Sequence, residues 1–387
     1  MSRDCRALID LGALRHNLSA VRKFAPRSPV MAVVKANAYG HGLPVVARAL
    51  ADADSFAVAC IEEALAVREA GLTQPVVLLE GVSSAEALDA ALANHFEVVI
   101  HDPSQLPLLA RLNAADSLTV WLKIDTGMNR LGFPVAAARD VWQQLSVQPG
   151  IRQPIGLMTH LANADDPADD FSRVQIERFK GFSQDLPGPR SIANSAGIAA
   201  WPASHDGWVR PGVMLYGVSP LLESVGADHD LQPAMTVTTR LIAVKQLAAG
   251  DRVGYGGSWV APEPMPVGIA AIGYGDGYPR HAPSGTPVLV NGRRQQLVGR
   301  VSMDMIAVDL RGNDAAVGDP VTLWGQGLPV EYVARDAGTI PYELLCGVTQ
   351  RVKFSLQDDD KADQEPSPSG RGQGKGVELH PSSEPSP

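Results

Sequence analysis

The strongest constraint on the fold is a repeated alternation of short apolar runs with Ala- and Leu-rich segments of helical patterning. The runs cover 30–35, 55–59, 75–79, 97–100, 118–124, 154–158, 191–193 and 208–209. Helical spacing marks 13–25, which Pro26 stops, and then 61–70, 84–93, 103–113, 135–145 and 171–184. A β-rich run followed each time by a helical stretch builds βαβ units and a parallel sheet. Eight runs within the first 215 residues fit a (β/α)8 TIM-type barrel better than an open doubly wound sheet.

Read to their C-terminal ends, the eight runs finish at Lys35, Cys60, Glu80, His101, Asp125, His160, Asn194 and Arg210. In a barrel these positions converge on one face, where such folds build their sites. Lys35 closes the apolar stretch that starts at Val30, and Tyr39, Gly40, His41 and Gly42 follow it. A lysine at the end of a buried strand either snorkels to water or loses its proton and becomes a nucleophile towards carbonyls.

After residue 233 the pattern changes. The runs 235–247, 267–272, 287–290, 295–301, 305–310 and 320–324 are short and split by Gly, Pro, Asn and Asp, and Asn291-Gly292 is a hairpin signal. The expected organisation is a barrel over 1–233, a mainly-β domain over 234–356 and a polar tail over 357–387. The tail has too few apolar residues to offset its chain entropy and is expected to be disordered.

Composition narrows the function. The chain has 387 residues, 45% of them hydrophobic, and a net charge of −9, which argues against nucleic acid or an anionic membrane as partner. Cys5, Cys60 and Cys346 are far apart and without paired spacing, so reduced thiols are expected and no metal site. The charged start, Met1 to Arg6, lacks an apolar targeting core, and no apolar stretch is long enough to span a bilayer. A soluble cytoplasmic protein is the expectation. Asn17-Leu18-Ser19 is formally a glycosylation sequon, without meaning for such a protein.

The loops after runs seven and eight read Asn194-Ser195-Ala196-Gly197 and Arg210-Pro211-Gly212-Val213. Small residues there let backbone N–H groups approach an anion, and barrels commonly bind phosphate at these two loops, although two ordinary turns would read the same. A Schiff-base lysine facing a phosphate cradle suggests pyridoxal 5′-phosphate, with a lysine-dependent aldolase as the alternative. Arg210 would then face the pyridine nitrogen and, unable to give up its proton, keep the ring a weak electron sink. Arg130, in the loop after Asp125, is placed to hold a carboxylate, and Lys123 points to the same strand face as Asp125. His160 is placed to bond Arg210. Tyr255 and Tyr274 each sit between glycines in the β domain, and a further loop runs from Val298 through Met303 to Asp304.

Over residues 5–356 these motifs resemble the alanine racemase family. The stretch from Ala32 through Lys35 and Tyr39 to Gly42 is similar to its cofactor motif, and that from Lys123 through Arg130 to Gly132 to its carboxylate loop. The resemblance implies Lys35 as cofactor anchor and catalytic base, with Tyr255 as the second base on the opposite face. It implies Tyr39, His160, Asn194, Ser195, Arg210, Gly212, Val213 and Tyr342 around the cofactor. Arg130 and the Met303 backbone would bind the substrate carboxylate, Lys123 would be carbamylated, and Tyr274 would stand at the entrance. Tyr255 and Met303 would come from the other subunit, so a homodimer with shared sites is implied. The activity implied is interconversion of L- and D-alanine, supplying or degrading D-alanine for peptidoglycan metabolism. A broader amino-acid racemase acting on serine, for example, or a non-catalytic pyridoxal phosphate carrier, are the competing readings. A decarboxylase of like architecture lacks its usual cysteine loop here.

Overall fold

The computed structural model describes residues 4–358, so nearly all of the polar tail lies outside the described residues. Eight parallel strands follow one another around a sheet: Met31–Val33, Ser55–Val58, Val76–Leu78, Glu97–Ile100, Val120–Asp125, Gly156–Met158, Arg190–Asn194 and Trp208–Arg210. The ring closes between the last and the first. A parallel bridge joins Val30 to Val209, and the Val33 N–H donates to Pro211 O at 3.0 Å. Closure explains the near-continuous apolar character of these strands, whose two faces meet the barrel interior and the outer helices.

The helices include Leu11–Phe24, Ile61–Glu69, Ala85–Ala93, Val135–Val147 and Phe171–Ser183. The helix expected over 103–113 is reduced to a 3-10 turn, Pro103–Gln105, and one short turn, Leu106–Leu109. Pro107 has no N–H to give and its ring excludes the preceding carbonyl, so it fits only the first turn of a new helix. Asn17 is fully buried: its amide donates to Leu215 O at 3.0 Å and Gln232 O at 2.8 Å, which makes it a brace for the first helix.

The segment Arg6–Asp10, read with the barrel from sequence, pairs instead with the second sheet, antiparallel to Met235–Leu247 and parallel to Lys353–Gln357. Only alternate residues, Ala7 and Ile9, are buried, the pattern of a half-buried strand and not of a barrel stave. Asp10 then caps the first helix through the Ala13 N–H at 2.9 Å, so the chain passes directly from one domain to the other.

The C-terminal sheet is antiparallel around a ring of six strands, because the long Met235–Leu247 strand pairs with Pro320–Trp324 along its first half and with Met265–Ala270 along its second. Asn291 and Gly292, with φ of 52° and 73°, turn the hairpin between Pro287–Val290 and Arg293–Val298. Two short helices, Val330–Asp336 and Pro341–Cys346, lead the chain back to the barrel mouth.

Candidate active site

Lys35 leaves the first barrel strand half-buried, and the chain then makes a left-handed turn. Ala36, Asn37, Ala38 and Tyr39 have φ of 54°, 52°, 53° and 52°. Each L-residue held there costs about 1–2 kcal/mol, so the surroundings must enforce the turn. The Glu63 carboxylate accepts the Ala36 N–H at 2.6 Å and the Ala59 N–H at 2.9 Å. Asn37 Oδ1 accepts the Leu43 N–H at 2.8 Å, and His41 Nδ1 lies 2.9 Å from Tyr39 O. Burial lowers the His41 imidazole to about 4, so it is neutral and donates from Nδ1 to that carbonyl. The turn sends Lys35 and Tyr39 to the mouth, where the Tyr39 ring stacks on Tyr216 at 4.6 Å and lies 5.8 Å from Tyr342.

Facing Tyr39 are the two loops after strands seven and eight. Asn194 caps the helix Ser195–Ala200 through the Gly197 N–H at 2.9 Å. Ser195 Oγ accepts the Gly212 N–H at 2.8 Å, and its own O–H donates to no acceptor among the described residues. Val213 opens the 3-10 turn Val213–Tyr216. Gly212 lies so close to the Tyr39 hydroxyl that a Cβ there would collide with it. Hydroxyls of Tyr39 and Ser195 thus border a cradle that only glycine permits.

Arg210 is buried at the end of strand eight. Its guanidinium donates to Ser191 Oγ, to Thr159 O at 2.6 Å and to Ile192 O at 3.3 Å, and lies 3.5 Å from His160 Nδ1. Among the described residues no carboxylate pairs with it. Burial lowers it to about 10, which still leaves it cationic at neutral pH. Burial first, then the charges of Arg210, Lys123, Arg130 and Lys35, hold His160 well below its ordinary value, so its imidazole is neutral. Arg210 faces the Nδ1 side of this imidazole, and Asn194 Nδ2 lies 3.5 Å from Nε2 on the other side. Lys123 is lowered to about 8, by burial first and then by Arg210, Arg130 and Lys35, with Asp125 opposing. Cations so arranged, without matching carboxylates, suit an anionic ligand.

The loop from Asp125 to Gly132 is anchored by Asp125 Oδ1, which accepts the Gly127 N–H at 2.8 Å and the Asn129 N–H at 3.1 Å. Arg130 is exposed beside it. The β-domain candidates occupy neighbouring loops: Tyr274 N–H donates to Ser302 O at 3.1 Å, Gly275 N–H to Met303 O at 2.9 Å, and Gly256 lies against Arg300. Tyr255 is 67% and Met303 52% exposed, and among the described residues no hydrogen bond or ring contact joins Tyr255 to the barrel mouth of its own chain.

The barrel mouth therefore brings together Lys35, Tyr39, Lys123, Arg130, His160, Asn194, Ser195, Arg210, Gly212 and Val213, with Tyr342 delivered to it by helix Pro341–Cys346, while Tyr255, Tyr274 and Met303 form a second, exposed group. Cys60, Glu80 and His101 also end strands, but His101 braces the Glu80 carbonyl at 2.9 Å. Sequence reasoning missed Glu63, Tyr216, Thr159 and Ser191. Glu63 reads as an acidic residue in a helix first turn, and nothing local announces that its carboxylate spans two strand ends.

Family models describe this chain in two parts. The model for "Alanine racemase, N-terminal domain" matches residues 9–220, and that for "Alanine racemase, C-terminal domain" matches residues 234–356. An alanine racemase of Nitrosococcus oceani is 55% identical over 354 residues, 91% of this chain and 99% of that protein. The crystal structure of the biosynthetic alanine racemase from Pseudomonas aeruginosa superimposes with a TM-score of 0.89 at 46% identity, covering 92% of this chain and 100% of that one. The alanine racemase from Bartonella henselae with covalently bound pyridoxal phosphate superimposes with a TM-score of 0.82 at 30% identity, covering 92% and 99%.

Proposed function

Because the chain belongs to the alanine racemase family, we propose that it interconverts L- and D-alanine with pyridoxal 5′-phosphate as cofactor. The observation that carries the reading is the buried Arg210, a cation without an acid partner on the same barrel face as Lys35. The cradle fits the cofactor. Tyr39, Ser195, Gly212, Val213 and Tyr342 would hold its phosphate, Arg210 its ring nitrogen, and Lys35 its carbonyl carbon. When bound, pyridoxal phosphate supplies the electron withdrawal that loosens the α-hydrogen of an amino acid.

Inversion requires a base on each side of the α-carbon. Lys35 Nζ serves one face, and the partner subunit's Tyr255 Oη the other. Tyrosine has an ordinary pKa near 10, so its use as a base needs support, which we assign to His160 held beside Arg210. Arg130 and the partner subunit's Met303 backbone hold the substrate carboxylate, and Tyr274 stands at the entrance. The exposure of Tyr255 and Met303 on adjoining loops supports a homodimer with shared sites. Lys123, lowered to about 8, has an appreciable neutral fraction near pH 7–8, the form that captures carbon dioxide. Its carbamate would give Arg130 an anionic partner.

Borohydride reduction of the holoenzyme followed by peptide mapping tests the reading. A pyridoxyl group on Lys35 is expected, and one on any other lysine overturns it. Tyr255→Phe is expected to depress racemisation in both directions; unchanged rates would refute the two-base scheme.

A further inference from the structure

Helix Phe171–Ser183, outside the barrel, carries a fully buried side-chain amide, Gln175. Burying a primary amide is costly unless its hydrogen bonds are remade. Here they are: Nε2 donates to His160 O at 3.0 Å and to Thr126 Oγ1 at 3.3 Å, and Oε1 accepts the Ala162 N–H at 2.8 Å. If packing were the only demand, an apolar residue of similar volume would fill the position without that polar cost.

Gln175 stands between two segments of the mouth. Thr126 directly follows Asp125, whose carboxylate anchors the loop of Arg130. Thr159 directly precedes His160, and its carbonyl accepts from Arg210. The two threonine hydroxyls meet at 2.9 Å, both residues being buried. The same helix grips the loop again. Arg178 Nη1 donates to Thr126 O at 3.0 Å, and a Cβ on Gly127 would fall 2.6 Å from Phe171 Cζ.

We infer that Gln175, acting through Thr126 and Thr159, is a positioning residue that sets the spacing between Arg130 and the His160–Arg210 pair. The inference rests on the reading of Arg130 as the ligand of the substrate carboxylate and deepens it. A substrate held through its carboxylate at one side of the mouth and through the cofactor at the other senses that spacing directly. The cofactor alone, held by Lys35 and the two phosphate loops, does not.

Thr126→Val keeps the side-chain volume and removes one buried hydroxyl. The expected result is a rise in KM for both L- and D-alanine of about fivefold, the worth of one buried hydrogen bond. The kcat should change less, and the dissociation constant for pyridoxal phosphate, from absorbance titration of the apoprotein, should not move. Thr126→Ser, which restores the hydroxyl, should restore KM. Gln175→Leu should raise KM further, and Thr126→Val added to it should have less effect than in the native chain. Arg130→Lys is the control. If it raises KM while Thr126→Val does not, the link is overturned and the Arg130 reading stands. If Arg130→Lys leaves KM at the native value, the reading of Arg130 itself fails. Equal losses of alanine and cofactor affinity in Thr126→Val would mark general loosening and also refute the link.

Discussion

Replacing Gly212 by alanine adds one methyl group where the structure leaves no room. The new Cβ would lie under 3.0 Å from the Tyr39 hydroxyl and 3.2 Å from Tyr39 Cζ. Carbon ordinarily rests about 3.5–4.0 Å from its neighbours, so something must move. Tyr39 is not free to retreat. Its ring is stacked on Tyr216 at 4.6 Å, and its main chain lies in the left-handed turn, closed by the Gly40 N–H to Ala36 O bond at 3.0 Å. Overpacking of this kind costs about 1–3 kcal/mol. Urea unfolding of the apoprotein should show that loss, and absorbance titration should show weaker retention of pyridoxal phosphate. Tyr39→Phe removes the clashing oxygen and leaves the ring carbon at 3.2 Å as the nearest atom. The double variant should therefore be more stable than the two single losses added together, by about 1 kcal/mol. Strict additivity, or a Gly212→Ala protein as stable as the native one, would refute the tight Tyr39–Gly212 contact.

Glu63→Ala should orphan the Ala36 and Ala59 N–H groups, cost about 1–3 kcal/mol in urea unfolding, and speed cofactor loss on dilution, because the turn after Lys35 loses its brace. His41 binds its proton near 6.5 when unfolded and near 4 when folded. The unfolded state thus takes up the extra proton first, and stability is lost as pH falls from about 6.5 to about 4. His41→Asn should flatten that limb in denaturant titrations over the same range. Lys123 acts with the same sign in a higher window: its folded value of about 8 lies below the ordinary 10.5, so stability rises with pH between about 8 and 10.5. In carbonate-free buffer Lys123→Met should abolish this rise relative to the native chain.

Much of the architecture was legible because each barrel strand is buried on both faces, and burial of that kind writes a local signature. The hairpin at Asn291-Gly292 was equally local, since two positive φ values select those residues. The strand ends at Lys35, His160 and Arg210 were legible as a set because a barrel gathers its strand ends on one face. Other parts were not legible. Arg6–Asp10 was not read as a strand at all, because its partners lie more than 200 residues away and the local sequence does not point to them. The proline-bearing stretch 103–113 kept helical spacing but only a fragment of helix.

Sequence alone determined the kinds of chemistry available: a lysine at a strand end, small residues for an anion, an arginine that keeps its proton. Tertiary structure decided which of these groups act together and under what field. Burial and mutual repulsion among Lys35, Lys123, Arg130 and Arg210 bring Lys123 to about 8 and keep His160 neutral. The left-handed turn that aims Lys35 and Tyr39 is held by Glu63 on another element, and the Arg130 loop by Gln175 on a third. Such effects depend on distance in space, and chain separation carries little information about it once the barrel has closed.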